Sequence, residues 1–152
     1  MRIAVGADIN GYELKEVVKA HLAAQGHEVI DFGVDGGQDV DYPEVAEPVA
    51  RAVARGEVDR AVLVCGTGLG MAIVANKVRG VRAAPVYDRY SAKMSRIDND
   101  ANVLCLGGRT MMKNAAFAKK LVDLWLGTKF SKAGRHVRRL KKIAAYERRA
   151  TR

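Results

Sequence analysis

Residues 62–77 read VLVCGTGLGMAIVANK, and this stretch decides how the rest of the chain is interpreted. An apolar run ends at Cys65, glycine occupies every second position from Gly66 to Gly70, and a helical pattern of apolar residues follows. A strand that turns through glycines into a helix is the repeating unit of α/β proteins with parallel sheets. The stretch therefore predicts a strand, a tight turn and a helix within such a fold.

Outward from this stretch, short β-like runs alternate with helical patterns in both directions. The candidate strands are Arg2–Ala7, Glu28–Gly33, Asp59–Cys65, Val81–Val86 and Asn102–Leu106. Apolar residues at helical spacing predict helices after the first and second strands, a helix from about Arg109 to Leu126, and a basic helix from His136 onward.

We predict the α/β class, with one domain over residues 1–152. Its architecture is a three-layer α/β/α sandwich around a five-stranded parallel sheet, Rossmann-like, with the flavodoxin-type strand order 2-1-3-4-5. Residues 129–152 form a basic C-terminal arm on this domain.

Length and cysteine usage limit the class of protein. The 152 residues suffice for one hydrophobic core, and no apolar run approaches the roughly 20 residues that span a bilayer. The N-terminus MRIAVGAD lacks a signal-peptide pattern, and Cys65 and Cys105 show neither disulfide nor zinc spacing. We expect a cytoplasmic protein with reduced cysteines, no metal site and no membrane partner.

The net charge of +9 is located at the C-terminus. Residues 129–152 contain ten Lys and Arg against a single Glu, whereas residues 1–128 have equal numbers of acidic and basic side chains. Tyr146 is the only aromatic residue after Phe130, so the arm lacks the interleaved aromatics of a base-stacking surface. A solvated face or a subunit contact is favoured over a nucleic-acid partner.

Open parallel sheets bind ligands beyond the carboxyl ends of their strands, where the strand order reverses. For the predicted order this point lies between the first and third strands, so Asp8 and the loop 65–70 flank one crevice. The other loops at that edge are Gly33–Tyr42, Tyr87–Ser91 and Gly107–Arg109.

The glycine loop allows three interpretations. Its spacing is neither GxGxxG after a first strand nor a P-loop with Gly-Lys-Ser/Thr, although Asp88 lies at a distance compatible with a dinucleotide site. The glycines also fit a purely structural turn, with Cys65 as inert packing. In the third interpretation, backbone N–H groups at a helix N-terminus stabilise an oxyanion beside Cys65, which acts as a base.

Five stretches carry a resemblance that spans nearly the whole chain: GADINGYELK, VDYPEVAEPVARAV, VCGTGLGMAIVANKVRGVRAA, YSAKMSRIDNDANVLCLGGRT and GRHVRRL. They are similar to the ribose-5-phosphate isomerase B and galactose-6-phosphate isomerase family of cofactor-independent aldose–ketose isomerases. The resemblance implies a phosphorylated sugar substrate, no cofactor, and a homodimer or homotetramer with shared active sites.

The resemblance also implies a role for each matching residue. Cys65 moves a proton between C1 and C2 through a cis-enediolate, which backbone donors at Gly66, Gly68 and Gly70 stabilise. Thr67 and Asp8 contact sugar oxygens, and Tyr42 forms a pocket wall. The remaining matches are Asn99 and Arg109, expected from a neighbouring subunit, and the phosphate clamp Arg135 and Arg139.

Two departures from the family pattern bear on the substrate. Ile9 replaces a histidine that assists phosphate binding, and Asp98 replaces the histidine credited with opening the sugar ring. Ribose 5-phosphate is the default substrate. A tetrose 4-phosphate needs no ring opening and is one alternative, a hexose 6-phosphate is another, and Asp98 itself acting on the ring is a third. A non-catalytic nucleotide- or nucleic-acid-binding module is the rival from another class.

Overall fold

The computed structural model describes residues 1–36 and 38–150. Its strands are β1 (Arg2–Ala7), β2 (Glu28–Asp31), β3 (Arg60–Cys65), β4 (Ala83–Pro85) and β5 (Val103–Gly107). Its α-helices are α1 (Tyr12–Ala24), α2 (Tyr42–Ala54), α3 (Leu69–Ala75), α4 (Arg89–Ile97), α5 (Gly108–Met111), α6 (Ala115–Gly127) and α7 (Gly134–Ala150). The predicted loop 33–42 and arm 129–152 extend over residues 37, 151 and 152, which lie outside the described residues.

The five strands form one parallel sheet in the order β2-β1-β3-β5-β4. The α/β class is confirmed, but the predicted order 2-1-3-4-5 is wrong for the last two strands. All five residues of β5 are buried, as suits a strand with neighbours on both sides. The strand β4 has three residues and ends at Pro85, which has no N–H for a further neighbour and is tolerated at an edge. The reversal between β1 and β3 is as predicted.

Alternating side chains of each strand build two cores. In β3, Leu63 and Cys65 face the helices α2 and α3, whereas Val62 and Val64 face α1 and α6. The second core contains Trp125, which is fully buried. Helices therefore cover both faces of the sheet, and only the strand ends remain open for chemistry.

The helix predicted from Arg109 to Leu126 is interrupted. After α5 the chain forms a 3₁₀ turn over Met112–Asn114, and the Asn114 side chain accepts a hydrogen bond from the N–H of Phe117 at 3.1 Å. Asn114 is thus an N-cap that starts α6, since its amide oxygen satisfies a donor left free at the beginning of a helix. The basic helix α7 begins at Gly134, two residues before the predicted start.

Candidate active site

Cys65 is the last residue of β3, and its side chain is directed at the following loop. The residue is 5% exposed, and the backbone N–H of Gly68 donates a hydrogen bond to Cys65 Sγ at 3.2 Å. Gly68 has φ of +82°, a left-handed conformation that only glycine adopts without strain, and α3 starts at the next residue. The loop thereby folds back so that a backbone donor at the start of α3 points at the thiol.

Glycines allow several groups to approach this loop closely. A Cβ at Gly70 would lie 2.9 Å from ring atoms of Tyr42, and one at Gly68 would lie 3.0 Å from the carbonyl carbon of Leu106. At Gly107, which pairs with Cys65 across β3 and β5, a Cβ would lie 2.4 Å from Thr110 Oγ1. Tyr42 therefore lies against the glycine loop, as expected for a pocket wall.

Asp8 follows β1 at the same edge of the sheet and is 7% exposed. Its Oδ1 accepts hydrogen bonds from the N–H groups of Asn10 at 2.9 Å and Gly11 at 3.0 Å. Burial raises the pKa of Asp8, and these bonds together with the nearby Arg109 oppose that rise. Ionisation of Asp8 thus carries a desolvation cost that its neighbours only partly offset.

Arg109 lies at the glycine loop of its own chain, whereas the resemblance implies that it comes from a neighbouring subunit. Its backbone N–H donates to the carbonyl oxygen of Gly66 at 3.1 Å, and its Nη2 donates to Asn10 Oδ1 at 2.7 Å. The cause is the strand order: β5 is adjacent to β3, which brings the residues after Gly107 beside those after Cys65. Asn10, which orients this guanidinium, was not singled out by the sequence.

Tyr87 and Thr67 are hydrogen-bonded at the exposed side of the glycine loop. The Tyr87 hydroxyl donates to the carbonyl oxygen of Thr67 at 3.0 Å, and Thr67 Oγ1 accepts from the N–H of Leu69 at 3.3 Å. Burial raises the pKa of Tyr87, and the neighbouring thiols Cys65 and Cys105 act in the same direction. The sequence indicated only that the loop after the fourth strand reaches this edge.

Asp88, the residue compatible with a dinucleotide site, has a structural role. Its Oδ1 accepts the N–H of Ser91 at 2.7 Å, which makes Asp88 the N-cap of α4. The N–H bond accounts for the lowered pKa of this carboxylate.

Asp98 and Asn99 lie at the opposite edge of the sheet from Cys65. They follow α4, which connects two parallel strands and so returns from the carboxyl edge to the amino edge. The carbonyl oxygen of Asn99 accepts from Arg82 Nε at 3.0 Å, and Arg82 directly precedes β4. The five residues of β5 span about 16 Å, which separates the two edges.

The start of α7 lies beside Asp98. The buried His136 has its Nε2 3.4 Å from Asp98 Oδ1, and the same nitrogen accepts from Arg135 Nε at 2.9 Å. Ser131 Oγ is 2.7 Å from the other ring nitrogen. Arg139 lies one helical turn beyond Arg135, and both are exposed. His136 was not predicted as a site residue, since its contacts depend on how α7 packs.

The farther end of α7 stays at the amino edge of the sheet. The N–H of Gly80, three residues before β4, donates to Glu147 Oε2 at 3.2 Å. Within one chain, then, the candidate residues form two groups: one around Cys65 at the carboxyl edge, and one around Asp98 and α7 at the amino edge.

Two kinds of feature are absent from residues 1–36 and 38–150. No group of three or more His, Cys, Asp or Glu side chains there could hold a metal ion. In the same part of the chain, none of the helices is both long and apolar enough to cross a membrane.

Comparisons with known proteins agree with the fold. The Ribose/Galactose Isomerase family matches residues 3–143. Ribose-5-phosphate isomerase B of Escherichia coli (strain K12) is 47% identical over 148 residues, 97% of either chain. D-erythrulose-4-phosphate isomerase 2 of Mycolicibacterium smegmatis is 43% identical over 150 residues, again 97% of either chain. The structure of Clostridium thermocellum ribose-5-phosphate isomerase B superposes with a TM-score of 0.95 at 47% identity, covering 99% of both chains.

This chain belongs to the Ribose/Galactose Isomerase family. The family resemblance, the Rossmann-like α/β class and the isomerase class predicted from the sequence are thereby confirmed.

Proposed function

We propose that this isomerase interconverts ribose 5-phosphate and ribulose 5-phosphate, with Cys65 as the base. One observation carries the assignment of the base: the thiol lies at a strand end with a backbone N–H of the glycine loop 3.2 Å from its sulfur. A donor at that position stabilises a thiolate, which is the form that accepts a proton. The names of the relatives from Escherichia coli and Clostridium thermocellum support the five-carbon substrate.

The reaction moves a carbonyl by one carbon and requires no external redox partner. The Cys65 thiolate removes the proton from C2 of the open-chain aldose, and the electron pair forms the C1–C2 double bond of a cis-enediolate. The same thiol returns the proton to C1, while the proton of the C2 hydroxyl passes to the C1 oxygen, so that C2 becomes the ketone and C1 carries the alcohol. Backbone N–H groups of the glycine loop at Gly66 and Gly70 stabilise the enediolate oxygens, as an oxyanion hole does, and the N–H of Gly68 is directed at Cys65 Sγ.

Other side chains at the carboxyl edge hold the sugar. Asp8 accepts hydrogen bonds from sugar hydroxyls, Thr67 contributes its hydroxyl, and Tyr42 closes one side. Arg109, fixed by Gly66 and Asn10, places a positive charge at this crevice. A forked guanidinium suits a phosphate, because it donates two parallel hydrogen bonds.

A complete site requires two copies of the chain. Arg135 and Arg139 form the rest of the phosphate clamp, and Asp98 and Asn99 reach the sugar, but all four belong to the amino edge, about one strand length from Cys65. A second copy that brings its amino edge to this crevice joins the two groups. Exposed apolar side chains on α3 and α7 support such contact: Leu69, Ile73, Ile143 and Tyr146. We propose a homodimer, or a homotetramer built from it, with shared active sites.

A four-carbon substrate is the second candidate. Ile9 is 42% exposed beside Asp8, where a histidine would assist the phosphate, and Asp98 occupies the position of the ring-opening histidine. A tetrose 4-phosphate has its 4-oxygen esterified and cannot close a furanose ring, so it needs no such histidine. The relative from Mycolicibacterium smegmatis is named for a four-carbon substrate. No observation specifically favours a hexose 6-phosphate.

The experiment is a turnover assay of the purified protein with four-, five- and six-carbon sugar phosphates. Nuclear magnetic resonance in D₂O detects both the new carbonyl and the solvent hydrogen incorporated at C1 or C2. We expect the highest kcat/KM for ribose 5-phosphate. A tenfold preference for erythrose 4-phosphate would transfer the assignment to the four-carbon substrate, and no turnover of any sugar phosphate would refute the proposed function.

Two further expectations stay predictions: a cytoplasmic location, and one domain over residues 1–152 with residues 129–152 as its basic arm.

A further inference from the structure

Two hydrogen bonds meet on a single peptide unit of the glycine loop. The peptide between Thr67 and Gly68 has its carbonyl oxygen 3.0 Å from the Tyr87 hydroxyl and its N–H 3.2 Å from Cys65 Sγ. In a trans peptide the C=O and N–H groups point in opposite directions, so the phenol and the thiol lie at opposite ends of one dipole.

Packing holds this peptide in place. A Cβ at Gly107 would lie 3.1 Å from both the carbonyl carbon and the carbonyl oxygen of Thr67, so the peptide rests directly on the β5 backbone. A Cβ at Gly68 would likewise meet the backbone of Leu106, the preceding residue of β5, at 3.0 Å. With β5 supporting the peptide from below, the Tyr87 hydroxyl supplies the hydrogen bond to its carbonyl oxygen.

We propose that Tyr87 is a positioning residue for the isomerase reaction: by donating to the Thr67 carbonyl, it directs and polarises the Gly68 N–H that stabilises the Cys65 thiolate. Hydrogen bonds in a chain strengthen one another, because each polarises the group it shares with the next. Tyr87 therefore acts on Cys65 through one peptide and without contact to substrate. This inference rests on the proposed function only in taking Cys65 as the base.

Tyr87→Phe tests the proposal, since it removes one oxygen and retains the ring of a side chain that is 44% exposed. Tyr90→Phe is the matched control, because the Tyr90 ring is 74% exposed and its hydroxyl has no hydrogen bond within residues 1–36 and 38–150. Circular dichroism and thermal melting establish that both variants are folded.

The first measurement is the rate of iodoacetamide alkylation of Cys65 against pH. Cys105 does not interfere, because it is fully buried and burial raises its pKa, and a Cys65→Ser protein gives the background. We expect the midpoint of this profile to move up by about 0.3–1 pH unit in Tyr87→Phe and to stay unchanged in Tyr90→Phe. The Gly68 amide proton resonance is expected to move upfield in Tyr87→Phe alone, which reports the weaker hydrogen bond directly.

The second measurement is steady-state turnover of the substrate found by the panel assay. We expect kcat of Tyr87→Phe to fall about three- to tenfold with KM within twofold, because less of the thiolate form is present at neutral pH when the alkylation midpoint is higher. A rise in KM alone, or a fall in kcat with an unmoved alkylation midpoint, overturns the proposal, since Tyr87 would then act on substrate or on nothing near the thiol. Should Cys65→Ala prove fully active, the assigned base is wrong, but the alkylation and resonance readouts still decide whether Tyr87 acts on Cys65.

Discussion

The carboxylate of Asp98 lies 3.4 Å from Nε2 of His136, a buried imidazole whose other nitrogen contacts Ser131. The contact matters because the resemblance implies that Asp98 stands at the position of a ring-opening histidine. Ring opening requires a group that both donates and accepts protons, as an imidazole does. The ring of His136 lies directly behind Asp98.

Replacing Asp98 by histidine is expected to change activity on cyclic and acyclic substrates differently. Asp98→His should alter kcat/KM for ribose 5-phosphate about tenfold or more, because ring opening needs both an acid and a base. For erythrose 4-phosphate, which has no ring to open, the change should be under threefold. Steady-state kinetics on both sugars measures this, with Asp98→Asn as the control that retains size. Equal changes for both sugars would indicate that Asp98 only ends α4.

The two-edge arrangement predicts which inactive variants restore each other. Cys65→Ala and Arg109→Ala damage the same edge of a chain, whereas Arg135→Ala damages the opposite edge. Mixing Cys65→Ala with Arg135→Ala subunits should regenerate activity at about a quarter of the sites, because half of randomly mixed dimers contain one intact site out of two. A mixture of Cys65→Ala and Arg109→Ala subunits has both changes at the carboxyl edge, a condition under which no site of a mixed dimer is intact.

That last condition provides the control. In a mixed Cys65→Ala and Arg109→Ala dimer, each carboxyl edge has one defect, so no site is intact and activity stays at background. Subunit exchange is verified by native mass spectrometry. Recovery in both mixtures, or in neither, contradicts the assignment of Arg109 to the edge of Cys65 and of Arg135 to the other.

Ionised Asp8 is expected to lower the free energy of unfolding, although the reaction needs this side chain. Because burial raises its pKa above the usual 3.8, the folded state holds this proton more tightly than the unfolded chain does. Ionisation therefore weakens the folded state as the pH rises from about 3.8 through the raised folded-state pKa. Asp8→Asn retains an oxygen for the N–H groups of Asn10 and Gly11 but has no charge to desolvate.

We expect Asp8→Asn to have lower activity yet a higher free energy of unfolding than the wild type at pH 7. The difference should shrink as the pH is lowered and vanish well below pH 3.8, where the wild-type carboxyl group is neutral in both states. Urea unfolding from pH 3 to pH 8 measures it. If instead Asp8→Asn has a lower free energy of unfolding than the wild type at pH 7, and this difference disappears at low pH, the hydrogen bonds to the carboxylate outweigh the cost of burying it.

The elements that were predicted correctly are those indicated by residues that are neighbours in the sequence. The strand before Cys65 and the glycine turn follow from apolar pattern and backbone freedom in adjacent residues, and α1 and α2 follow from helical spacing. The order of strands depends on which of them are buried on both faces. Because β4 has only three residues, its apolar pattern is too short to distinguish an edge strand from a central strand. In the sequence, Asn114 is indistinguishable from any polar loop residue, because its role as an N-cap depends on the folded backbone of α6.

The parts of the site that were missed depend on contacts between distant residues. The position of Arg109 beside Gly66 and Asn10 was not predicted, because the pairing of β5 with β3 brings these distant residues together. His136 and Tyr87 interact with Asp98 and Thr67, far away along the chain. No spacing rule predicts a hydrogen bond that arises from packing.

The most direct test of the account is the turnover of Cys65→Ala beside Cys105→Ala. Both cysteines are buried on adjacent strands, but only Cys65 reaches the glycine loop. With folding verified by circular dichroism, we predict that Cys65→Ala loses about 10²–10⁴-fold in kcat on the best sugar phosphate, as for removal of a general base. Cys105→Ala should keep kcat within threefold, although it loses some stability. Near-normal turnover by folded Cys65→Ala would contradict the assignment of Cys65 as the base.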